Sequence, residues 1–318
     1  MTFLEMRFMN GDGRAAGHLA ALFTVVVWGT TFVASKVLLE RFTPLEILFY
    51  RFVLGFVILT IICPRRLRGT TLAQELTFAA AGLCGVCLYF LLETIALTYT
   101  MASNVGVILS TSPFFIAILS RLFLGEALRG RFFVGFVFAI TGVGLISFNG
   151  VRLELNPMGD LLSVGAALSW GVYSLLTRRI GSFGLNVIQT TQRIFLYGLL
   201  CLAGSLLFIE ARFSPARLAE PIGFLNIAYL GVGASALCFV TWNFAVKVLG
   251  PVRTGVYLYL APVVTVTASA LILSERVTAM AALGTCLILI GLALSEWEGR
   301  RARPLPQTAQ GDKDEMSV

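Results

Sequence analysis

Apolar residues run along this chain in blocks of about 20, the length an α-helix needs to cross bilayer hydrocarbon. Short clusters of charge, proline and glycine interrupt them. The pattern predicts ten spans, at 17–39, 44–62, 73–97, 104–123, 131–149, 158–178, 185–208, 221–247, 253–273 and 278–296. ERFTP at 40–44, CPRRLRG at 63–69 and NGVRLELNP at 149–157 are typical breaks, each carrying the residues that end regular structure. The first block follows a polar stretch and lacks a short apolar core with a small-residue cleavage site. It is therefore expected to be a retained helix rather than a signal peptide. The tail RRARPLPQTAQGDKDEMSV is polar and proline-containing and is expected to be disordered.

Composition agrees with this pattern and narrows it. Of 318 residues, 57% are hydrophobic and 13% charged, too few charges to solvate the outside of a soluble globule. The expected fold class is an all-α polytopic membrane protein. A net charge of +7 would point to nucleic acid in a soluble protein, but here the basic residues follow the loops. With the N-terminus inside, sixteen of the 24 Lys and Arg fall on the cytoplasmic side, five outside and three (Lys36, Arg51, Arg193) within spans. That is the positive-inside bias of a ten-span chain with both termini cytoplasmic. The six cysteines lie in or beside apolar segments. Cys84 and Cys87 form a C-x-x-C with no second pair to complete a zinc site, so neither a metal nor a disulfide is expected.

Comparison of the chain with itself shows two halves. Trp28-Gly29 matches Trp170-Gly171 at an offset of 142, and the same offset carries Arg51 onto Arg193. At an offset of 149, Gly106 falls on Gly255, Pro113 on Pro262, Glu126 on Glu275, Gly135 on Gly284 and Gly142 on Gly291. The expected organisation is a cytoplasmic tail at 1–16, a first five-helix repeat at 17–149, a second at 158–296 and a cytoplasmic tail at 297–318. Because five is odd, the second repeat must cross the membrane in the opposite sense to the first. Ten transmembrane helices in two inverted five-helix repeats suit a secondary transporter, with substrate near the midplane between the halves.

Several stretches also resemble a known family. W28-G-T-T-F-V-A-S-K-V-L with P44-x-x-I-L-F-Y-R-F, then A96-L-T-Y-T-M-A-S-N-V-G-V-I-L-S-T-S-P-F-F and L124-G-E, resemble the EamA-type transporters of the drug/metabolite transporter superfamily. The second half repeats the pattern as A245-V-K-V-L-G-P-V-R-T-G-V-Y-L-Y-L-A-P and L273-S-E. The resemblance covers about residues 17–296. It implies ten helices in two inverted repeats and an exporter of amino acids or similar small metabolites, without naming the substrate.

Few residues at membrane depth carry chemistry. Glu93 in the third span has Trp242 as its repeat counterpart, so only one half carries a carboxylate. It could bind and release a proton, coupling export to the proton gradient, or hold a substrate ammonium. The alternative is an ion pair with Arg51 or Lys36. Arg51 and Arg193 are read as structural or gating residues that bond helix-end carbonyls, with a substrate-carboxylate anchor as the alternative. Pro113 and Pro262 each remove a helix N–H and would free the carbonyls of Leu109 and Leu258, making a hinge or a packing kink.

Trp28, Tyr89, Trp170, Tyr173, Trp242, Asn243, Tyr257 and Tyr259, with Glu93, are the candidate cavity lining. Gln189 and Gln192 add neutral donors and acceptors. Such a lining suits an amphipathic zwitterion better than a phosphate. The glycine pairs 135/142 and 284/291 predict close helix packing, with homodimerisation as an alternative use.

The function expected is secondary active export of small metabolites, amino acids or related amphipathic compounds, by alternating access. Import or exchange of sugars, nucleotide-sugars or organic anions is the runner-up. No P-loop is present, and the one histidine, His18, and the four aspartates lie at span edges, loops or tails, which disfavours a membrane enzyme. No cofactor is expected. The partners expected are a small-molecule substrate and the lipid bilayer, with no nucleic acid, in a monomer or homodimer. The location expected is a bacterial inner membrane.

Overall fold

The computed structural model describes residues 12–65, 67–99, 105, 108–126, 130–147, 157–208, 211, 213–214, 217–218, 220–261, 263–264, 267 and 279–296. Pro262, Gly106, Glu275, residues 1–11 of the expected tail at 1–16 and the expected tail at 297–318 lie outside these residues, as does the side chain of Lys36, whereas residues 12–16 are helical. The described elements are helical: α1 (Asp12–Leu39), α2 (Pro44–Ile62), α3 (Leu72–Tyr99), α4 (Ser112–Leu124), α5 (Gly130–Ser147), α6 (Pro157–Gly181), α7 (Val187–Ser205), α8 (Pro221–Leu249), α9 (Pro251–Val256) and α10 (Ala279–Glu296). Among them α2, α3, α6 and α8 are long and apolar enough to cross a membrane, and Ser112–Leu124, Gly130–Gly142 and Ala282–Gly291 are shorter apolar helices. Large side chains such as Ile61, Phe123, Leu161, Leu207 and Leu225 are exposed on the outside, where hydrocarbon is their proper solvent.

Local sequence explains where these helices begin and end. Thr43 caps α2 by accepting from the Glu46 amide at 3.4 Å, while Oε2 of Glu46 accepts from the Thr43 amide at 2.8 Å. This reciprocal box satisfies two of the orphan donors of a helix start. Thr71 and Gln74 build the same device at α3, and Asn186 caps α7 by accepting from Ile188 and Gln189. Gly125 ends α4 at φ +66°, and Gly250, at φ +87°, turns α8 into α9 ahead of Pro251. Backbones with such φ values strain any residue with a Cβ.

Two helices depart from regular α geometry. Leu83–Leu88 of α3 and Tyr229–Leu237 of α8 are π-helical, and the sequence offset of 149 carries 83–88 onto 232–237. A π turn displaces backbone carbonyls from their usual partners. The expected continuous fourth span is also broken. Val105 and Ile108–Leu109 are helical, Ser110 and Thr111 form a turn, and Pro113 sits in the first turn of a new helix, where its missing N–H costs nothing. Leu109's carbonyl is not left free, because the Ser112 hydroxyl donates to it at 2.6 Å.

Helices from the two halves of the sequence interdigitate. α2 packs on the π segment of α8, α7 packs on α3 and its π segment, α1 packs along the end of α8, and α6 packs along the end of α3. Backbones come close where these helices meet: a Cβ on Gly82 would lie 2.6 Å from the Gly198 nitrogen, and one on Gly231 3.0 Å from the Arg51 carbonyl. α5 and α10 form a separate, close pair. The glycine faces 135/142 and 284/291 are turned toward each other there. A Cβ on Gly291 would meet the Gly135 carbonyl oxygen at 2.6 Å and the Ala139 nitrogen at 2.8 Å, so this packing occupies the face considered above for dimerisation.

These neighbours are backbone atoms and cannot swing aside, so overpacking at this seam forces the helices apart. Gly291→Val is expected to lower stability by about 1–3 kcal/mol, read as an earlier thermal unfolding transition of the purified protein in detergent. An unchanged transition would show that the seam does not hold the two helices together.

Candidate functional site

Three tryptophans from three distant helices meet in the interior. Trp28 (α1) lies 5.1 Å from Trp170 (α6) and 5.2 Å from Trp242 (α8), centroid to centroid, and the last two are 5.6 Å apart. Tyr89 of α3 reaches Trp170 at 4.8 Å, and Tyr173, nearly one turn beyond Trp170, lies 5.0 Å from it. Phe239 packs against Trp28 and Trp170 and joins them to Phe52, Phe90 and Phe195. Tilted and edge-on ring pairs of this kind are favourable beyond the area they bury. Both halves contribute, and the site closes without any single helix supplying more than two of the named rings.

The polar handles of these rings are treated unequally. Trp28 Nε1 donates to the Ala234 carbonyl at 2.9 Å, an oxygen that lies in the π-helical stretch of α8. The Tyr173 hydroxyl donates to Oδ1 of Asn243 at 2.6 Å, and Nδ2 of Asn243 donates to the Thr191 hydroxyl at 3.0 Å. This chain ties α6, α8 and α7 together. Nε1 of Trp170, Nε1 of Trp242 and Oε2 of Glu93 are buried and have no hydrogen-bond partner.

Arg51 lies beneath the cluster, 4% exposed. Its Nε donates to the Ser235 hydroxyl at 2.9 Å, again in the π segment of α8. Its guanidinium lies 4.4 Å from the Phe90 ring centroid and 5.2 Å from that of Phe52, the arrangement of a cation–π contact. Arg51 acts electrostatically on Glu93, and the Tyr89 hydroxyl, one turn back on α3, donates a hydrogen bond to its carboxylate. The ion pairs formed among the described residues are Arg41–Glu220, Arg193–Glu75 and Arg217–Glu46, and Glu93 belongs to none of them.

Other candidates lie elsewhere. Arg193 donates to the Leu67 carbonyl at 3.1 Å and pairs with Glu75 at 3.5 Å; Gln192 donates to Leu59 and Cys63, and Gln189 to Arg65. These three α7 residues hold the end of α2 and the loop after it, away from the aromatic centre. Tyr257 is at one end of the bundle, its hydroxyl 2.7 Å from Nδ1 of His18. Tyr259 is buried with Phe132, Ala139 and Ile288 between α5 and α10. Among the described residues, neither makes a ring contact with a tryptophan.

The sequence reading did not find Ser235, Thr191 or the Ala234 carbonyl, since a serine or threonine in an apolar run carries no distinguishing pattern. It also did not find the pairing of Arg217 with Glu46. Oε1 of Glu46, fully buried, accepts from Arg217 at 3.0 Å, and Arg217 also donates to the Arg41 carbonyl and lies over Phe42.

A small pocket of about 10 Å³, room for one water, lies between α6, α7 and α8. Thr177, Gly181, Leu185, Thr190, Asn243 and Lys247 are among the residues that line it. Its polar wall thus includes Asn243, the residue that holds Tyr173. Removing the phenol hydroxyl in Tyr173→Phe leaves Oδ1 of Asn243 without its donor and is expected to destabilise the protein by about 1–3 kcal/mol. Thermal unfolding of the variant checks this, and wild-type stability would show that the bond contributes nothing.

An all-helical bundle with membrane-length apolar helices, closed around a buried centre of aromatic rings and isolated polar groups, defines a polytopic membrane protein. Residues 15–148, and again 157–297, match the EamA-like transporter family. The chain belongs to that family, within the drug/metabolite transporter superfamily. An "uncharacterized transporter" of Archaeoglobus fulgidus is 27% identical over 288 residues, covering 87% of this chain and 96% of that protein. A "probable amino-acid metabolite efflux pump" of Escherichia coli K12 is 28% identical over 290 residues, covering 86% and 93%. The "uncharacterized inner membrane transporter YedA" of the same strain is 25% identical over 252 residues, covering 79% and 80%. A protein known from a crystal structure shares the fold at a TM-score of 0.74 and 21% identity, over 91% of this chain and 99% of that one.

Proposed function

We propose that this EamA-family transporter is a secondary active exporter of small amphipathic metabolites, amino acids or compounds like them, working by alternating access. In this reading the chain has ten spans in two inverted five-helix repeats, with both termini in the cytoplasm of a bacterial cell and the bundle in its inner membrane. The observation that carries the reading is the convergence of Trp28, Trp170 and Trp242, one from the first half and two from the second, with the indole N–H groups of Trp170 and Trp242 buried and without a partner. A soluble or purely structural bundle has no use for such atoms at membrane depth, whereas a substrate site does.

The exchange of packing partners supports the inverted arrangement. α2 meets the π segment of α8, while its repeat counterpart α7 meets that of α3, the counterpart of α8. Export of amino-acid-like compounds is supported by the name of the Escherichia coli relative and by a lining of rings and neutral amides in which the one carboxylate stands near one arginine. The Arg217–Glu46 and Arg41–Glu220 pairs close one end of the bundle.

Glu93 is the residue assigned to proton coupling. It breaks the symmetry of the halves, and Arg51 and Tyr89 face it. In proteoliposomes with an imposed pH gradient, wild-type flux of a transported amino acid is expected to follow the gradient, and Glu93→Gln flux to ignore it. A Glu93→Gln variant that retains full pH-dependent transport would remove the coupling role.

A further inference from the structure

The two π segments occupy the same place in the two halves, yet they are tied down unequally. In both, an amide reaches five residues back: that of Tyr89 donates to the Cys84 carbonyl, and that of Cys238 to the Gly233 carbonyl. A carbonyl has a second lone pair for a further donor. Each segment takes such a donor from the first helix of the opposite half. The hydroxyl of Ser169, a buried residue of α6, donates to the Cys84 carbonyl at 2.9 Å, and Nε1 of Trp28 on α1 donates to the Ala234 carbonyl at 2.9 Å. The α8 segment has more ties than this. Ser235 accepts from Arg51 at 2.9 Å, and the Tyr229 hydroxyl donates to the Val27 carbonyl at 3.0 Å. On the α3 segment, the side-chain ties among the described residues are the Ser169 bond and a weak approach of Cys87 Sγ to Ser205 Oγ at 3.9 Å.

The donors also differ in what they can do once released. A serine hydroxyl can turn to the carbonyl one turn back on its own helix, here that of Gly165, so breaking its bond to Cys84 strands no donor. An indole N–H has no backbone acceptor of its own within reach, and the bilayer supplies no water in its place. Where α3 enters its π segment, it crosses α7 at glycine: a Cβ on Gly82 would lie 2.6 Å from the Gly198 nitrogen, and one on Gly198 2.5 Å from Val86. A crossing without side chains lets one helix turn upon the other. On the reading that the chain is a transporter, we infer that Leu83–Leu88 is a hinge of the transport cycle, with Ser169 as its releasable latch and the α8 segment as its fixed counterpart. A π turn holds one residue more than an α turn, so a change of pairing turns the residues beyond it by about 100° and slides them by about 1.5 Å. The residues beyond it on α3 are those that include Tyr89 and Glu93.

Hydrogen–deuterium exchange of the full chain in lipid nanodiscs, read by mass spectrometry, tests the hinge. The amides of 84–89 are expected to exchange about tenfold or more faster than those of 76–80 and 91–97 on the same helix, and faster by a similar factor than those of 229–237. Ser169→Ala removes the latch and is expected to speed exchange at 84–89 a further three- to tenfold or so, the range of one hydrogen bond. It should leave 229–237 unchanged. Ser169→Thr keeps the hydroxyl and is expected to exchange as the wild type does, which separates the latch from a general loosening of the bundle.

The inference is overturned if exchange is uniform along α3, if the two π segments exchange alike, or if Ser169→Ala exchanges as the wild type does or faster along its whole length. Should Ser169→Ala not fold, the wild-type profile and Ser169→Cys, which keeps a weaker donor, still decide. Counterflow of each of the twenty common amino acids, labelled, is measured in proteoliposomes beside the exchange. The exchange pattern without flux of any of them would sink the amino-acid export reading and leave the joint in α3. Flux with uniform exchange would sink the hinge and leave that reading.

Discussion

Arg51 cannot be left in hydrocarbon, and this requirement governs how the two halves of the chain meet. A guanidinium at membrane depth needs donors satisfied and charge screened from within the protein. Here Ser235 accepts from its Nε, and the faces of Phe90 and Phe52 receive its charge. Those partners lie on α8, α3 and α2. One side chain of α2 therefore joins α3, the next helix, to α8 in the other half, and the glycines at 55 and 231 let α2 and α8 close to the distance at which that bond forms. The aromatic centre adjoins this contact, since Phe90 touches Arg51 and also Tyr89 and Phe239.

The π-helical segments connect packing to chemistry. Tyr229–Leu237 supplies the Ser235 hydroxyl to Arg51 and the Ala234 carbonyl to Trp28, so one irregular stretch serves both an ion and an indole. In a regular helix each carbonyl is engaged by the amide four residues on, and the bilayer offers no water to compensate for a change. Irregular backbone at this depth is tolerated because side chains and neighbouring helices take up what it displaces. The same reasoning covers the break before α4, where hydroxyls of Thr111 and Ser112 engage the carbonyls of Ile108 and Leu109. The proline there starts a helix and does not open one for a ligand.

Much of the architecture was legible from hydrophobic periodicity. The blocks at 44–62, 73–97, 158–178 and 221–247 overlie α2, α3, α6 and α8, because a membrane-spanning helix satisfies its own backbone and needs only a sufficient apolar length. The glycine register at 135/142 and 284/291 likewise announced close packing. It did not reveal that the two faces pack on each other within the chain, which depends on where α5 and α10 lie. Of the aromatic candidates, Trp28, Trp170 and Trp242 came together, whereas Tyr257 and Tyr259 went to His18 and to the α5–α10 seam. A tyrosine reads the same in either place, since one residue's type says nothing of which neighbour its hydroxyl meets.

Helix lengths, the internal repeat and the rarity of charge at membrane depth are properties of residues close together in the chain or aligned between its halves, so the amino-acid order alone dictated them. Which polar atoms acquire partners is a different kind of property. Arg51 finds Ser235 across 184 positions, and Trp28 finds the Ala234 carbonyl across 206. Tyr173 finds Asn243 across 70, while Oε2 of Glu93 and the indole N–H groups of Trp170 and Trp242 find nothing. Those outcomes rest on angles and distances between packed helices. Only the folded bundle settles them, because a hydrogen bond is made or lost within a few tenths of an ångström that no spacing along a chain encodes.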